Sequence, residues 1–319
     1  MGYKLHEHHK ELMHYTTAAG LQGIVTSKTL WAGHASFMND SEEIVGFSAR
    51  ILPAILRSEV DKYHANEEEV AAASRLGIDL TEQKVEKFVA GFKEAEEATD
   101  HYITSFCTSG DDQVSENGLL SQWRGYGLDG GYAIVFACED LNSLLERESQ
   151  MYYEERILLA EVQYDMANLS EVTDPLVLEH IQNIKNWVKD LLSTNGRNPD
   201  HDQAAESNSL LSILCKHRGF GEEKEVRIVV SEPSAKIGPD PQNNTGKPYR
   251  EVRSCLRNGV SVPVLHLFEN QDLNTLPIRR AIVGPHPDKG DRRKAVEILL
   301  NNNNIHAEVV VSDTPFRGR

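Results

Sequence analysis

The run Glu222-Glu223-Lys224-Glu225-Val226-Arg227 passes without a break into Ile228-Val229-Val230, and this junction constrains the fold more than any other stretch. A β-branched triplet behind an alternating segment reads as a buried strand. Side chains two apart on a strand share a face, so Glu223, Glu225 and Arg227 are expected on one face and Val226, Ile228 and Val230 on the other. Two carboxylates and a guanidinium at the mouth of a strand can position a polar ligand. About two hundred residues earlier stands His14-Tyr15-Thr16. Taken together, the two elements predict a site assembled from opposite ends of one fold, with His14 and Glu225 facing the same pocket.

The chain of 319 residues, 39% hydrophobic and 26% charged, has the composition of a soluble protein with a sizeable core. Met1 to Leu12 is polar and His-rich, unlike a signal peptide, and no apolar run reaches membrane-span length. Cys107, Cys138, Cys215 and Cys255 lie far apart with no CxxC pair, as expected of reduced thiols in a cytoplasmic protein. The net charge of -16 is uneven: residues 1–210 carry -20 (16 basic against 36 acidic side chains), while 211–319 carry +4 (17 against 13). That field disfavours a non-specific nucleic-acid coat and leaves room for a local anionic ligand.

Periodicity predicts a short helix at Leu21–Ser27, a strand at Thr29–Ala32, and a helical insertion over 44–99 broken near Gly77. Strands follow at Tyr102–Phe106, Tyr132–Phe136 and Ile157–Tyr164, with Asp140 as a helix N-cap. A second helical block spans 140–218, broken by the strand near 157–164. The last third reads as strands at Glu225–Ser231, Val260–Phe268, Arg279–Val283 and Ala307–Val311, with a helix at Arg292–Asn302 and a loop at Gly238–Lys247. The expected architecture is a single α+β domain over 1–319, built as two small, mostly antiparallel sheets forming a split core with helical insertions.

In order along the chain, His14-Tyr15-Thr16, Ser105 on a strand and Glu223-Lys224-Glu225 resemble the three signature elements of the ADP-ribosyltransferase fold. The wider pattern is similar to a bacterial family of unknown function. It comprises the HYT element, Ser36-Phe37-Met38-Asn39-Asp40 with Glu43, Ser105-Phe106, Trp123 with Tyr126, and the Gly131–Phe136 strand. Glu-x-Glu-x-Arg and a closing Val311-Ser312-Asp313-Thr314-Pro315-Phe316-Arg317 complete it. The transferase resemblance implies NAD as substrate, transfer of ADP-ribose or hydrolysis of NAD, and a toxin-like or phage-defence role. The acceptor implied is protein, nucleic acid or water.

Cleaving the ribose–nicotinamide bond passes through an oxocarbenium-like state, as in glycoside hydrolysis, and a fixed carboxylate stabilises such charge. Glu225 is the candidate for that role, and Glu223 for orienting or deprotonating the acceptor. His14 would bond the ribose, and Tyr15 would offer an aromatic face to nicotinamide. Thr16, Asn39, Glu43, Ser105, Trp123, Tyr126 and Arg227 complete the candidate ligand-binding set. Each has a plainer reading. The Glu pair fits a solvated edge strand, His14 a histidine satisfied by backbone, and Asp40 with Glu43 a capping box. Trp123 fits core packing before an aromatic lid.

Phosphate-loop, G-x-S-x-G, HExxH and paired CxxC signatures are absent from the sequence, so no resident metal is expected. Two other classes stay open. Glu222-x-Lys224 imitates the acid-x-Lys element of metal-dependent nucleases, and the same pocket could serve a non-catalytic nucleotide-sensing module.

Overall fold

The computed structural model describes residues 5–38, 46–63, 67–96, 99–110, 112–126, 131–153, 156–164, 166, 169–193, 201–233, 245–257 and 259–315. Its strands are β1 (Glu11–Thr16), β2 (Leu30–His34), β3 (Thr99–Thr108), β4 (Tyr132–Ala137), β5 (Arg156–Glu161) and β6 (Gln163–Tyr164). They continue as β7 (Cys215–Lys216), β8 (Glu225–Pro233), β9 (Arg253–Arg257), β10 (Val260–Leu267), β11 (Ile278–Val283) and β12 (Glu308–Val311).

Ten of these strands form one mixed sheet, and β6 pairs with β7 separately. The large sheet forks. On one edge β3 pairs with β8 from Thr99 to Cys107, and β8 pairs in turn with β5. The other edge of β3 is shared: β2 takes only Tyr102 and Ile103, and β1 only Cys107 and Thr108. One arm therefore runs β1-β4-β11-β12 and the other β2-β10-β9. Along that edge, between the two arms, Thr104 to Phe106 pair with no described strand. Two separate sheets were expected. One continuous forked sheet forms because β3, ten residues long, reaches both arms.

One face of the sheet carries Leu12, Tyr102, Phe106, Val226, Ile228 and Val230. These bury against the helices Ala18–Ser27, Cys138–Glu148 and Lys289–Asn302 in the main apolar core. The opposite face carries Met13, Tyr15 and Cys107 under Trp123 on the β1 arm. Farther along that face, Ile103, Ala160 and Val229 lie under Ile213 and Leu214. The two helical blocks, expected as separate decorations, share a core of their own. Phe47, Ile55 and Phe92 from the first pack with Ile181, Ile184, Val188 and Leu211 from the second.

Several local expectations shift. Asp140 does not cap its helix, which starts at Cys138 with Ala137 in the cap position and no side-chain cap bond. Asp174 does cap, accepting from the Val177 amide at 3.1 Å. The stretch 157–164 divides between β5 and β6, which belong to different sheets. Most of the Gly238–Lys247 loop lies outside the described residues.

Candidate functional site

Ser105 sits in the gap between the arms, where its carbonyl has lost the strand partner that a continuous sheet would supply. His14, near the end of β1, fills that vacancy: Nδ1 lies 2.9 Å from the Ser105 oxygen. A carbonyl only accepts, so Nδ1 carries the proton. Burial pulls the imidazole below its ordinary pKa against the opposing effect of that bond, so the ring is neutral at pH 7. Its Nε2 is then a lone-pair acceptor, with no protein partner among the described residues. On the other arm the Thr104 hydroxyl donates to the Trp31 carbonyl at 3.0 Å. Two side-chain bonds thus satisfy the backbone that the fork leaves open.

Glu225 approaches Ser105 from the other side. Register places Cys107 opposite Glu225 and Ser105 opposite Arg227, on the face away from Val226 and Ile228. The Ser105 hydroxyl bonds the Glu225 carboxylate. Arg227, fully buried, grips that carboxylate in a fork: Nε donates to Oε1 at 2.7 Å and Nη2 to Oε2 at 3.0 Å. Its Nη1 donates to the carbonyl of Ile213, in the last turn of the helix His201–Leu214, where a cation complements the helix dipole. Lys216 donates to Glu225 Oε2 at 3.0 Å and Glu223 Oε2 at 2.9 Å, and its ammonium lies over the Phe220 ring. The Tyr164 hydroxyl receives the Glu225 amide at 2.9 Å. Burial alone would raise the Glu225 pKa. Arg227, Lys216 and Ser105 overcome it and hold the carboxylate at about 2. The result is a carboxylate that is ionised at neutral pH, held from both oxygens and matched by two cations.

His14, Ser105, Glu225 and Arg227 are therefore brought together. The expected common pocket for His14 and Glu225 is not what forms. His14 belongs to the Phe106 face, with ring centroids 5.6 Å apart, and Glu225 to the opposite face. They meet only through Ser105, one at its carbonyl and one at its hydroxyl. Glu223 is also displaced. It ends a 3₁₀ turn, Arg218–Glu223, before the strand begins, and joins Glu225 only by way of Lys216.

Tyr15 is core rather than a platform for nicotinamide. It is buried edge-on to Trp123 at 4.9 Å, and its hydroxyl accepts from the Leu119 amide at 2.8 Å. Trp123 is also fully buried, its indole N–H donating to the Asn117 carbonyl at 2.9 Å. Gly118, at φ 72°, lets that ring approach: a Cβ there would lie 2.5 Å from it. The closing motif docks at the same point, with Ser312 Oγ on the Asn117 carbonyl at 2.6 Å and the Asp313 amide on Asn117 Oδ1 at 2.7 Å. Thr16 ends β1 half-buried, its hydroxyl set over Gly20. Asn39, Asp40 and Glu43 lie outside the described residues, as does the Tyr126 side chain. Glu222 and Lys224 are both exposed on the turn before β8. No group of three metal-ligating side chains assembles among the described residues.

Sequence reasoning missed Lys216, Tyr164 and an exposed stack on the second arm. There Trp31, 48% exposed, lies parallel to His266 at 4.9 Å. A cleft of about 420 Å³ beside His266, lined by Tyr152, Tyr249, Arg250, Arg253 and Asn270, contains none of the motif residues.

The segment from just before Trp123 to just beyond Arg227 decides what the chain can be compared with. Residues 122–228 match the family described as Protein of unknown function (DUF2971). The matched segment is about a third of the chain and holds Trp123, Glu223, Glu225 and Arg227, while His14 and Ser105 lie before it. No curated protein and no solved structure matches the chain. No helix among the described residues is long and apolar enough to cross a membrane.

Proposed function

We propose that the fork binds the ribose of NAD and that the chain is an ADP-ribosyltransferase-like enzyme, transferring ADP-ribose or hydrolysing NAD. The observation that carries this reading is that His14 and Glu225, on opposite faces of the sheet, both bond Ser105 at the gap, one at its carbonyl and the other at its hydroxyl. A neutral imidazole whose Nε2 has no partner among the described residues can accept a ribose hydroxyl. A carboxylate that stays ionised and fixed is the kind of group that stabilises a developing oxocarbenium charge. Trp31, exposed on the other arm and on the Glu225 face of the sheet, replaces Tyr15 as the aromatic surface in this reading.

Arg227 and Lys216 neutralise Glu225 in the resting geometry, so catalysis by its charge requires Lys216 to release Oε2 and keep its bond to Glu223. That same engagement of both Glu225 oxygens favours a second reading, a nucleotide-sensing module in which Glu225 is structural. A toxin or phage-defence role belongs to the first reading.

The test is nicotinamide release with chelator present, using the wild type, His14→Asn and His14→Gln. Asn places its amide where Nδ1 stood and keeps the bond to Ser105, but has nothing at Nε2. Gln does the reverse. Release by the wild type, lost in His14→Asn with folding intact, supports the enzyme. NAD-induced thermal stabilisation without release supports the sensor, and neither response sinks both.

A further inference from the structure

The outer edge of β9 carries backbone groups with no strand partner among the described residues. The strand ends the β2-β10-β9 arm, and no described strand lies on its far side. Ser254 stands opposite Pro263 of β10. Proline has no N–H, so this pair cannot exchange the two bonds of a hydrogen-bonded pair. Arg253, Cys255 and Arg257 therefore bond β10, and the amide and carbonyl groups of Ser254 and Leu256 point outward. The connection agrees: Arg257 pairs with Val260, and Gly259 stands at φ 81°, the left-handed backbone that tight hairpins use.

Among the described residues that edge carries two arginines but no lysine, proline or bulge. Leu256 is 83% exposed and Val252 43%, where sheet proteins ordinarily place a lysine, a proline or a bulge to block pairing.

We propose that β9 pairs antiparallel with β9 of a second copy about a two-fold axis through Ser254. In this register Ser254 lies opposite the partner's Ser254, Val252 opposite the partner's Leu256, and Glu251 opposite the partner's Arg257. The residues whose backbone groups point outward then fall into the hydrogen-bonded positions. Symmetry repeats the apolar pair and the ion pair on both sides. Glu251 is 73% exposed in its present contact with Arg253, so turning to a new cation costs it little. Shifting the register so that Cys255 faces its own copy would set Arg253 against the partner's Arg257, and like charges oppose that pairing. The inference is independent of any activity at the fork.

Sedimentation of the full chain tests it. The expected species is a dimer of twice 35.7 kDa that dissociates on dilution. Leu256→Lys, at a position too exposed to disturb folding, should give a monomer. Arg257→Glu should weaken dimerisation about tenfold, and adding Glu251→Arg should restore it by reversing both charges. Under mild oxidation Ser254→Cys should form a disulfide-linked dimer, while the wild type should not, because Cys255 stands opposite Arg253. A wild-type monomer at all concentrations overturns the proposal. A disulfide through Cys255 in the wild type overturns the register.

Discussion

Replacing Glu225 with Gln removes the charge from a carboxylate held by two cations and leaves Arg227 buried beside an amide. The cost can be worked two ways. The Glu225 pKa falls from 4.5 to about 2 in the folded state, and each unit is worth about 1.4 kcal/mol, so ionisation contributes about 3 kcal/mol at neutral pH. Breaking one side of a buried ion pair costs about 3–5 kcal/mol, in agreement. A folded pKa below the unfolded one gives stability that is complete above about pH 4.5 and is lost as pH falls toward 2. The wild type should therefore exceed Glu225→Gln by about 3 kcal/mol in urea unfolding at pH 7, or roughly 6 °C in Tm for a chain this long. The gap should narrow below pH 4.5. Adding Arg227→Met should recover part of the loss, since the unpaired cation goes too. Equal stability of wild type and Glu225→Gln at pH 7, or a gap unchanged in acid, would refute the ion-pair geometry.

Further outcomes follow from the same contacts. His14→Leu leaves the Ser105 carbonyl unpaired and should cost about 1–3 kcal/mol, while His14→Asn should cost little; denaturant melts distinguish them. Burial lowers the His101 pKa to about 4, so stability should fall as pH drops from 6.5 toward 4, and His101→Gln should flatten that limb in a pH series of melts. Tyr15→Phe strands the Leu119 amide and should destabilise by about 1–3 kcal/mol without changing NAD affinity, measured by calorimetry. Burial raises the thiol pKa of Cys107, of Cys138 (to about 11) and of Cys215, so mass spectrometry after brief alkylation should find Cys255 modified first.

Much of the fold was legible where burial wrote a period into the chain. Val226, Ile228 and Val230 share one face and Glu225 and Arg227 the other, as alternation required, because each face of β8 meets a different environment. β9 escaped notice for the opposite reason: an edge strand reading Arg-Ser-Cys-Leu-Arg has no buried face to impose a pattern. Its one strong signal in the sequence was the Asn-Gly dipeptide at 258–259. The fork could not be read, since no local preference of Thr104, Ser105 or Phe106 reveals that two strands divide one edge of β3. That is also why His14 and Glu225 were expected on one face. Lys216 was invisible because its role comes from β7, two residues long, set against Tyr164 by tertiary packing. Tyr15 and Trp123 look alike as core or as ligand platform in sequence, and only Asn117, Gly118 and Leu119 settle them as core.

The most direct measurement is a crystal structure with NAD bound. A ribose hydroxyl is expected within hydrogen-bonding distance of His14 Nε2 at the gap beside Ser105. NAD seated in the cleft of Tyr249 and Arg253, with the fork closed and His14 Nε2 uninvolved, would contradict it.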